Sequence, residues 1–322
     1  MSEARLHIVT GKGGTGKTTL AAALALALAS SGRRILLCEV EGRQGIASAF
    51  DIAPLPYGER RIAAGVGGGA VDALAIDAEA ALLEYLDMFY RLGRAGKALD
   101  RFDVIDFATT VAPGVRDVVL IGKVYEAVRR SEKSKPTYDA VVLDGPPTGR
   151  IGRVLNVNAE VAGIAKVGPI RNQADSIMRL LKSRQSVVHL VTTLEEMPVQ
   201  ETLDCLDELQ RIGVNTGLLV VNMVRAAQIG PRDLKAAQRG LLDAGKIATS
   251  LKEAGLTPDD RMVAGLVDEV REHAQRVALE HQQRSRLVDT RLPIISLGYL
   301  SDGVDLANLY SLAENVASSG AL

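Results

Sequence analysis

Seven short apolar runs punctuate the chain, at Leu6–Thr10, Ile35–Val40, Val71–Ile76, Ala140–Asp144, Val187–Thr192, Leu218–Asn222 and Ile294–Leu297. They are nearly continuous in apolar side chains rather than alternating, which suits strands covered on both faces. Longer helical stretches separate them. This alternation predicts βαβ units and an α/β fold built on a doubly wound, mostly parallel sheet. Residues 78–135 read as several helices, with Pro113-Gly114 as an internal break. A second helical and charged stretch runs over 226–290, punctuated by Gly230-Pro231, Gly255 and Pro258.

The turn between the first strand and the first helical run carries the clearest chemistry. Residues 11–18 read Gly-Lys-Gly-Gly-Thr-Gly-Lys-Thr, which fits G-x-x-x-x-G-K-[ST]. Glycines in such a loop let successive N–H groups turn inward onto an anion, and the positive end of the following helix adds to the attraction. A nucleotide would therefore sit on Gly13, Gly14, Thr15, Gly16, Lys17, Thr18 and Thr19. Lys17 is expected to reach the β- and γ-phosphates of ATP, and the Thr18 hydroxyl to ligate Mg²⁺. Lys12 is not required by the general motif. It is similar to the extra lysine of deviant Walker A loops, which reaches the nucleotide of a partner subunit.

Phosphoryl transfer also needs an acid near the metal and a group that orients the attacking water. In open α/β sheets both belong at the carboxyl ends of strands. One strand closes on Asp144, followed by Gly145-Pro146-Pro147-Thr148-Gly149, and another runs through Cys38-Glu39-Val40-Glu41-Gly42. Asp144 is expected to hold Mg²⁺ through water, and the Gly145 N–H to face the γ-phosphate. Glu39 and Glu41 point to the same side of an extended strand, and periodicity does not choose between them as the water-orienting acid.

Composition narrows the classes. The 322 residues are 47% hydrophobic and 24% charged, and 38 basic residues face 39 acidic ones for a net charge of −1. Nucleic-acid binding needs a concentrated basic surface, and this balance argues against it. Cys38 and Cys205 are the two cysteines, far apart and outside any CxxC pair. One chain thus offers neither the thiolates of a zinc site nor the three converging thiolates of an arsenite site. The longest apolar run, Leu20–Ala29, is too short to span a bilayer, and a cytoplasmic location is expected. His7 and His189 lie within strands and His273 and His281 on a charged helix, without ligand partners at metal spacing, and read as structural.

The loop Lys12–Thr18, the segment around Glu41 and Asp144-Gly-Pro-Pro-Thr-Gly-Arg150 together resemble the ArsA family of deviant Walker A ATPases. That family includes the arsenite-pump ATPase and the ATPase that targets tail-anchored membrane proteins. Pro113-Gly114, the stretch Val191–Thr202 and Val220-Val221-Asn222 extend the resemblance along most of the chain. It implies one P-loop ATPase domain over residues 1–322, with an inserted helical subdomain at about 78–135 plus 155–185 and a further helical segment at about 226–290. It further implies that Glu41 positions the water, that Asn222 hydrogen-bonds adenine, and that Tyr299 to Gly303 pack against the base.

The match has departures. The segment Glu41-Gly42-Arg43-Gln44 stands where the family usually has Asp-Pro-Ala-His, and Arg150 stands where it usually has a histidine. Arg150 could sense nucleotide, meet a partner or be solvated. The apolar helix at 80–92 reads as core, or as a groove for a client. The resemblance implies a switch that closes as a homodimer, or as a heterodimer with a related ATPase, for a transport or membrane-protein client. A small-molecule ligase or kinase of the same loop class is the alternative. A DNA- or membrane-positioning ATPase fits less well, because the tail Leu306–Leu322 has no lysine or arginine.

Overall fold

All seven apolar runs become strands of one eight-stranded sheet. A computed structural model describes residues 4–40, 42, 44–90, 113–132, 134–157, 169–301 and 303–320. The strands are β1 (Leu6–Gly11), β2 (Arg34–Glu39), β3 (Arg60–Ala64), β4 (Ala70–Ala75), β7 (Ala140–Asp144), β8 (Ser186–Thr192), β9 (Thr216–Val224) and β10 (Ile294–Gly298), and β5 (Ser131–Glu132) and β6 (Lys135–Pro136) form a separate two-stranded ribbon. The order across the sheet is β10-β9-β8-β1-β7-β2-β4-β3, parallel except where β3 meets β4. The strand order runs away from β1 to both sides, and such a switch point creates the crevice in which these sheets bind ligands.

Helix α1 (Lys17–Ala29) follows β1. Every residue from Leu20 to Ala29 is buried, because α1 lies on one sheet face and is covered on its far side by the C-terminal helix α11 (Leu306–Ser318). Its alternating Leu and Ala allow close approach all round, and its four buried leucines contribute about 1.5–3 kcal/mol each. The opposite face is covered by α4 (Pro113–Arg129), α5 (Thr148–Leu155), α6 (Pro169–Leu181) and α7 (Glu196–Ile212). The stretch expected as helical at 226–290 contains α8 (Pro231–Gln238), α9 (Ala244–Glu253) and α10 (Asp260–Val288). Two further helices, α2 (Gly45–Ala49) and α3 (Ala78–Tyr90), complete the described elements. Ala81 and Leu82 of α3 are buried, while the rest of the apolar helix expected at 80–92 lies largely outside the described side chains. Among the described residues, no helix is long and apolar enough to cross a membrane.

Strand β3 has no counterpart in the apolar pattern. Its sequence, Arg-Arg-Ile-Ala-Ala, is partly exposed and pairs on one side only, at the sheet edge. Besides its ladder with β4 and the packing of Ile62 and Ala63 on the core, charge ties it to its neighbour. Asp72 of β4 is 4% exposed and accepts from Arg34 at 3.0 and 3.1 Å, from the Tyr138 hydroxyl at 3.2 Å and from Arg61 of β3. Burial raises the Asp72 pKa, but the bonds from Arg61 and Arg34 outweigh it and hold the carboxyl below its ordinary range.

The buried histidines of β1 and β8 form a stacked pair, with His7 Nδ1 3.1 Å from His189 Nε2. His189 Nδ1 accepts from the Leu218 N–H at 3.1 Å, so in neutral His189 the proton sits on Nε2 and donates to His7. Burial lowers the His7 pKa to about 4 and pushes His189 well below its ordinary 6.5. Both rings are therefore neutral in the fold and take up protons on unfolding. The stability they confer is complete above pH 6.5 and is lost as pH falls from there toward 4. Each proton taken up costs about 1.4 kcal/mol per pH unit in that window. Urea midpoints measured from pH 7 to 4 are expected to fall on this account, and to fall less steeply in a His7→Asn, His189→Asn variant.

Candidate nucleotide-binding site

The loop between β1 and α1 is set by close approaches that exclude side chains. A Cβ on Gly11 would lie 2.2 Å from the Val191 carbonyl oxygen of β8. Gly16 adopts φ 92°, and a Cβ there would lie 2.2 Å from Asn222 Nδ2. Around Gly13 and Gly14, by contrast, a Cβ would meet nothing within 4 Å. The loop thus presses against β8 and β9 at its base and opens at its tip, a cradle whose bare backbone suits an anion. Thr15 is buried and its hydroxyl bonds back to the Lys12 carbonyl at 2.8 Å. Lys17, Thr18 and Thr19 form the half-buried first turn of α1.

Thr18 and Asp144 meet directly: the hydroxyl donates to Asp144 Oδ2 at 2.5 Å. This oxygen pair, at the helix start and a strand end, fits a hard cation such as Mg²⁺, which takes oxygen donors and retains several waters. When bound, Mg²⁺ would neutralise charge on the phosphate oxygens. The Gly145 N–H donates to the Val9 carbonyl at 2.9 Å, the bond that closes the β1–β7 ladder at its last pair, Val9 and Asp144.

Lys12 is drawn into its own chain. Its Nζ pairs with Glu201 Oε1 of α7 at 2.8 Å, and Glu201 Oε2 accepts from the Thr148 hydroxyl at 2.9 Å. The Lys12 bond, with the Thr148 bond behind it, holds the Glu201 carboxyl below its ordinary range. One carboxylate therefore joins the loop lysine to the first residue of α5, the segment that follows Asp144. Thr10 ties the same segment from the other side, donating to the Pro146 carbonyl at 2.7 Å. Further along, Arg150 is 3.5 Å from Asp117 of α4, which pairs the segment with the helical layer. Glu201 was absent from the residues read as functional, although it lies in the stretch 191–202 that carried the resemblance. A helix glutamate carries no motif.

Asn222, at 9% exposure, donates from Nδ2 to the Thr15 carbonyl at 2.9 Å. It braces the phosphate loop from β9. It also borders a groove of about 520 Å³, lined in part by Thr193, Met223, Arg225, Leu279, Gln283 and Tyr299. The Arg225 guanidinium stacks over the Tyr299 ring, 4.3 Å from its centroid. Asn222 and Tyr299, which the resemblance assigns to the adenine, both line this groove. Leu279 and Gln283 of α10 were not foreseen there, because only the fold returns that helix to β9. Of the two acids at the end of this strand, Glu39 is the last residue of β2 and is buried, and Glu41 lies outside the described residues.

The sequence profile of the anion-transporting ATPase (ArsA) family matches residues 4–185. ATPase BagA of Mycobacterium tuberculosis is 51% identical over 321 residues, covering 99% of this chain and 94% of that protein. Protein Rv2184c of the same organism is 30% identical over 251 residues, 69% of this chain and 60% of that one. The arsenical pump-driving ATPase of Acidiphilium multivorum is 25% identical over 318 residues, 93% of this chain but 52% of its own length. With the profile spanning more than half of the chain and a relative matching along nearly all of it, the chain belongs to the ArsA family of anion-transporting ATPases.

Proposed function

We propose that this protein is a Mg²⁺-dependent ATPase that works as a dimeric switch, coupling ATP hydrolysis to a change of shape for an anion-transport or membrane-protein client. The observation that carries the reading is the Lys12–Glu201–Thr148 connection beside a phosphate-loop cradle. The cradle backbone and Lys17 bind the triphosphate. Thr18 and Asp144 supply the oxygens that hold the metal ion, and Glu41 orients the attacking water. Adenine enters the groove beside Asn222 and Tyr299, where the Asn222 side-chain oxygen is the acceptor available to an amino group.

In one chain alone, Glu201 is the counter-charge for Lys12. A partner's nucleotide offers a stronger one, since phosphate oxygens are multiply charged and a lysine meets them in a low-dielectric interface. When Lys12 leaves, Glu201 retains only Thr148, and the segment 146–150 is released from the loop. Arg150 then transmits that release to α4 through Asp117. Two states of one packed segment are the kind of element that amplifies a small local change.

Equilibrium binding and steady-state hydrolysis test the engine first. Lys17→Ala is expected to weaken ATP binding about 10- to 100-fold, the worth of a lost charged hydrogen bond or two, and to abolish hydrolysis. Glu41→Gln should bind ATP normally and fail to turn it over. Full hydrolysis by Glu41→Gln would remove Glu41 from its role.

The dimer is tested by light scattering with a non-hydrolysable ATP analogue. The wild type is expected to double in mass on adding the analogue, alone or with a related ATPase subunit present. Lys12→Ala should bind the analogue within about threefold of wild type but stay monomeric. A Lys12→Ala protein that dimerises as well as wild type would sink the role given to Lys12.

A further inference from the structure

Strand β2 ends on a carboxylate that the nucleotide site described so far does not use. Glu39 is 4% exposed. Its Oε2 accepts from the Ile46 N–H at 3.0 Å, at the start of α2. Its Oε1 is buried with no hydrogen-bond partner. Leaving a buried carboxylate oxygen unsatisfied is costly, and such atoms call for an explanation such as a missing ion or water.

Three features place this carboxylate on the side of the metal-holding pair. In the parallel ladder of β2 and β7, Glu39 is the register partner of Asp144, so their side chains project to the same face. Ile35 and Leu37 of β2 share that face with Ala140 and Val142 of β7, and all four pack in one cluster with α1. Both carboxylates therefore sit on the side where α1 begins. A Cβ built on Gly45 would lie 3.4 Å from Thr18 Oγ1 and 3.8 Å from Glu39 Oε2. The hydroxyl and the glutamate thus border one recess, kept open because residue 45 is glycine.

We propose that Glu39 is a positioning residue of the metal site: its Oε1 faces the Mg²⁺ of a bound nucleotide and accepts a hydrogen bond from the ion's hydration shell. This rests on the nucleotide-site reading above and adds a second negative charge to Asp144. It also ties the ion to α2, since the same carboxylate holds Ile46, five residues after Glu41. Metal occupancy and the placement of α2 are then linked through one side chain.

The test is the gain in affinity for a fluorescent ADP analogue on going from EDTA to excess Mg²⁺, measured by anisotropy. Wild type, Glu39→Gln, Glu39→Asp and Thr18→Ala are compared, with melting of the ligand-free proteins as the check on folding. Glutamine keeps an oxygen for Ile46 but turns a donor toward the ion. Glu39→Gln is expected to cut the Mg²⁺-dependent gain about tenfold, the usual effect of removing an outer-shell partner, with affinity in EDTA unchanged. Glu39→Asp, which keeps the charge, should restore part of it and serves as the probe if Glu39→Gln does not fold. An undiminished gain in Glu39→Gln while Thr18→Ala loses its own overturns the proposal. Equal losses with and without Mg²⁺ also overturn it, since they mark a structural role through Ile46. No gain in wild type would bring down the metal-site reading itself.

Discussion

Burial of α1 against the sheet is the constraint on which the rest of the site depends. Ten consecutive residues, Leu20 to Ala29, have no exposed face, so the helix has one place to lie. Its first turn is thereby fixed at the carboxyl edge of β1, between β8 and β7. The loop that joins them has no slack: Gly11 touches the β8 backbone and Gly16 touches Asn222. A phosphate cradle built this way is pre-formed, and pre-organised donors bind an anion without the cost of ordering them.

Around this fixed point the polar groups fall into two sets that meet in the loop. On the α1 face, Glu39, Thr18 and Asp144 gather oxygens at the ends of β2 and β7. On the other face, Lys12, Glu201, Thr148 and Pro146 tie the loop to α5 and α7. In the proposed reading the first set answers to a cation and the second to the charge that Lys12 meets. Because Asp144 and Thr148 are four residues apart on one continuous segment, a change in one set bears on the other. The Arg150–Asp117 pair then carries the segment's position to α4.

Stability and function are separated along the strands. The Asp72 network and the His7–His189 pair lie away from the carboxyl edge and secure the sheet itself. Neither includes a residue of the loop. Cys38 is buried among apolar side chains on the face opposite α1; burial is the main reason its pKa is pushed far above the ordinary thiol range, which keeps it protonated and inert beside a charged site.

The sequence by itself determined the parts whose chemistry is local. Continuous apolar runs gave seven strands, because a strand covered on both faces has no polar alternative. The motif Gly11–Thr18 between an apolar strand and an apolar helix located the cradle, and Asp144 was legible as an acid closing such a run. What only the tertiary structure decided are pairings between residues distant in the chain. Strand β3 is a short, partly exposed edge strand held by its ladder with β4, by Ile62 and Ala63 on the core and by Arg61 on Asp72, so periodicity could not reveal it. Glu201 carries no motif and Glu39 was legible only as one of two acids at a strand end; what lies within 3 Å of them is set by folding: a loop lysine and a threonine for one, the α2 backbone for the other. The Gly145 N–H goes to the Val9 carbonyl because Val9 is the register partner of Asp144 in the parallel ladder. Local sequence fixes which groups are present, whereas the register and packing of the sheet fix which of them meet.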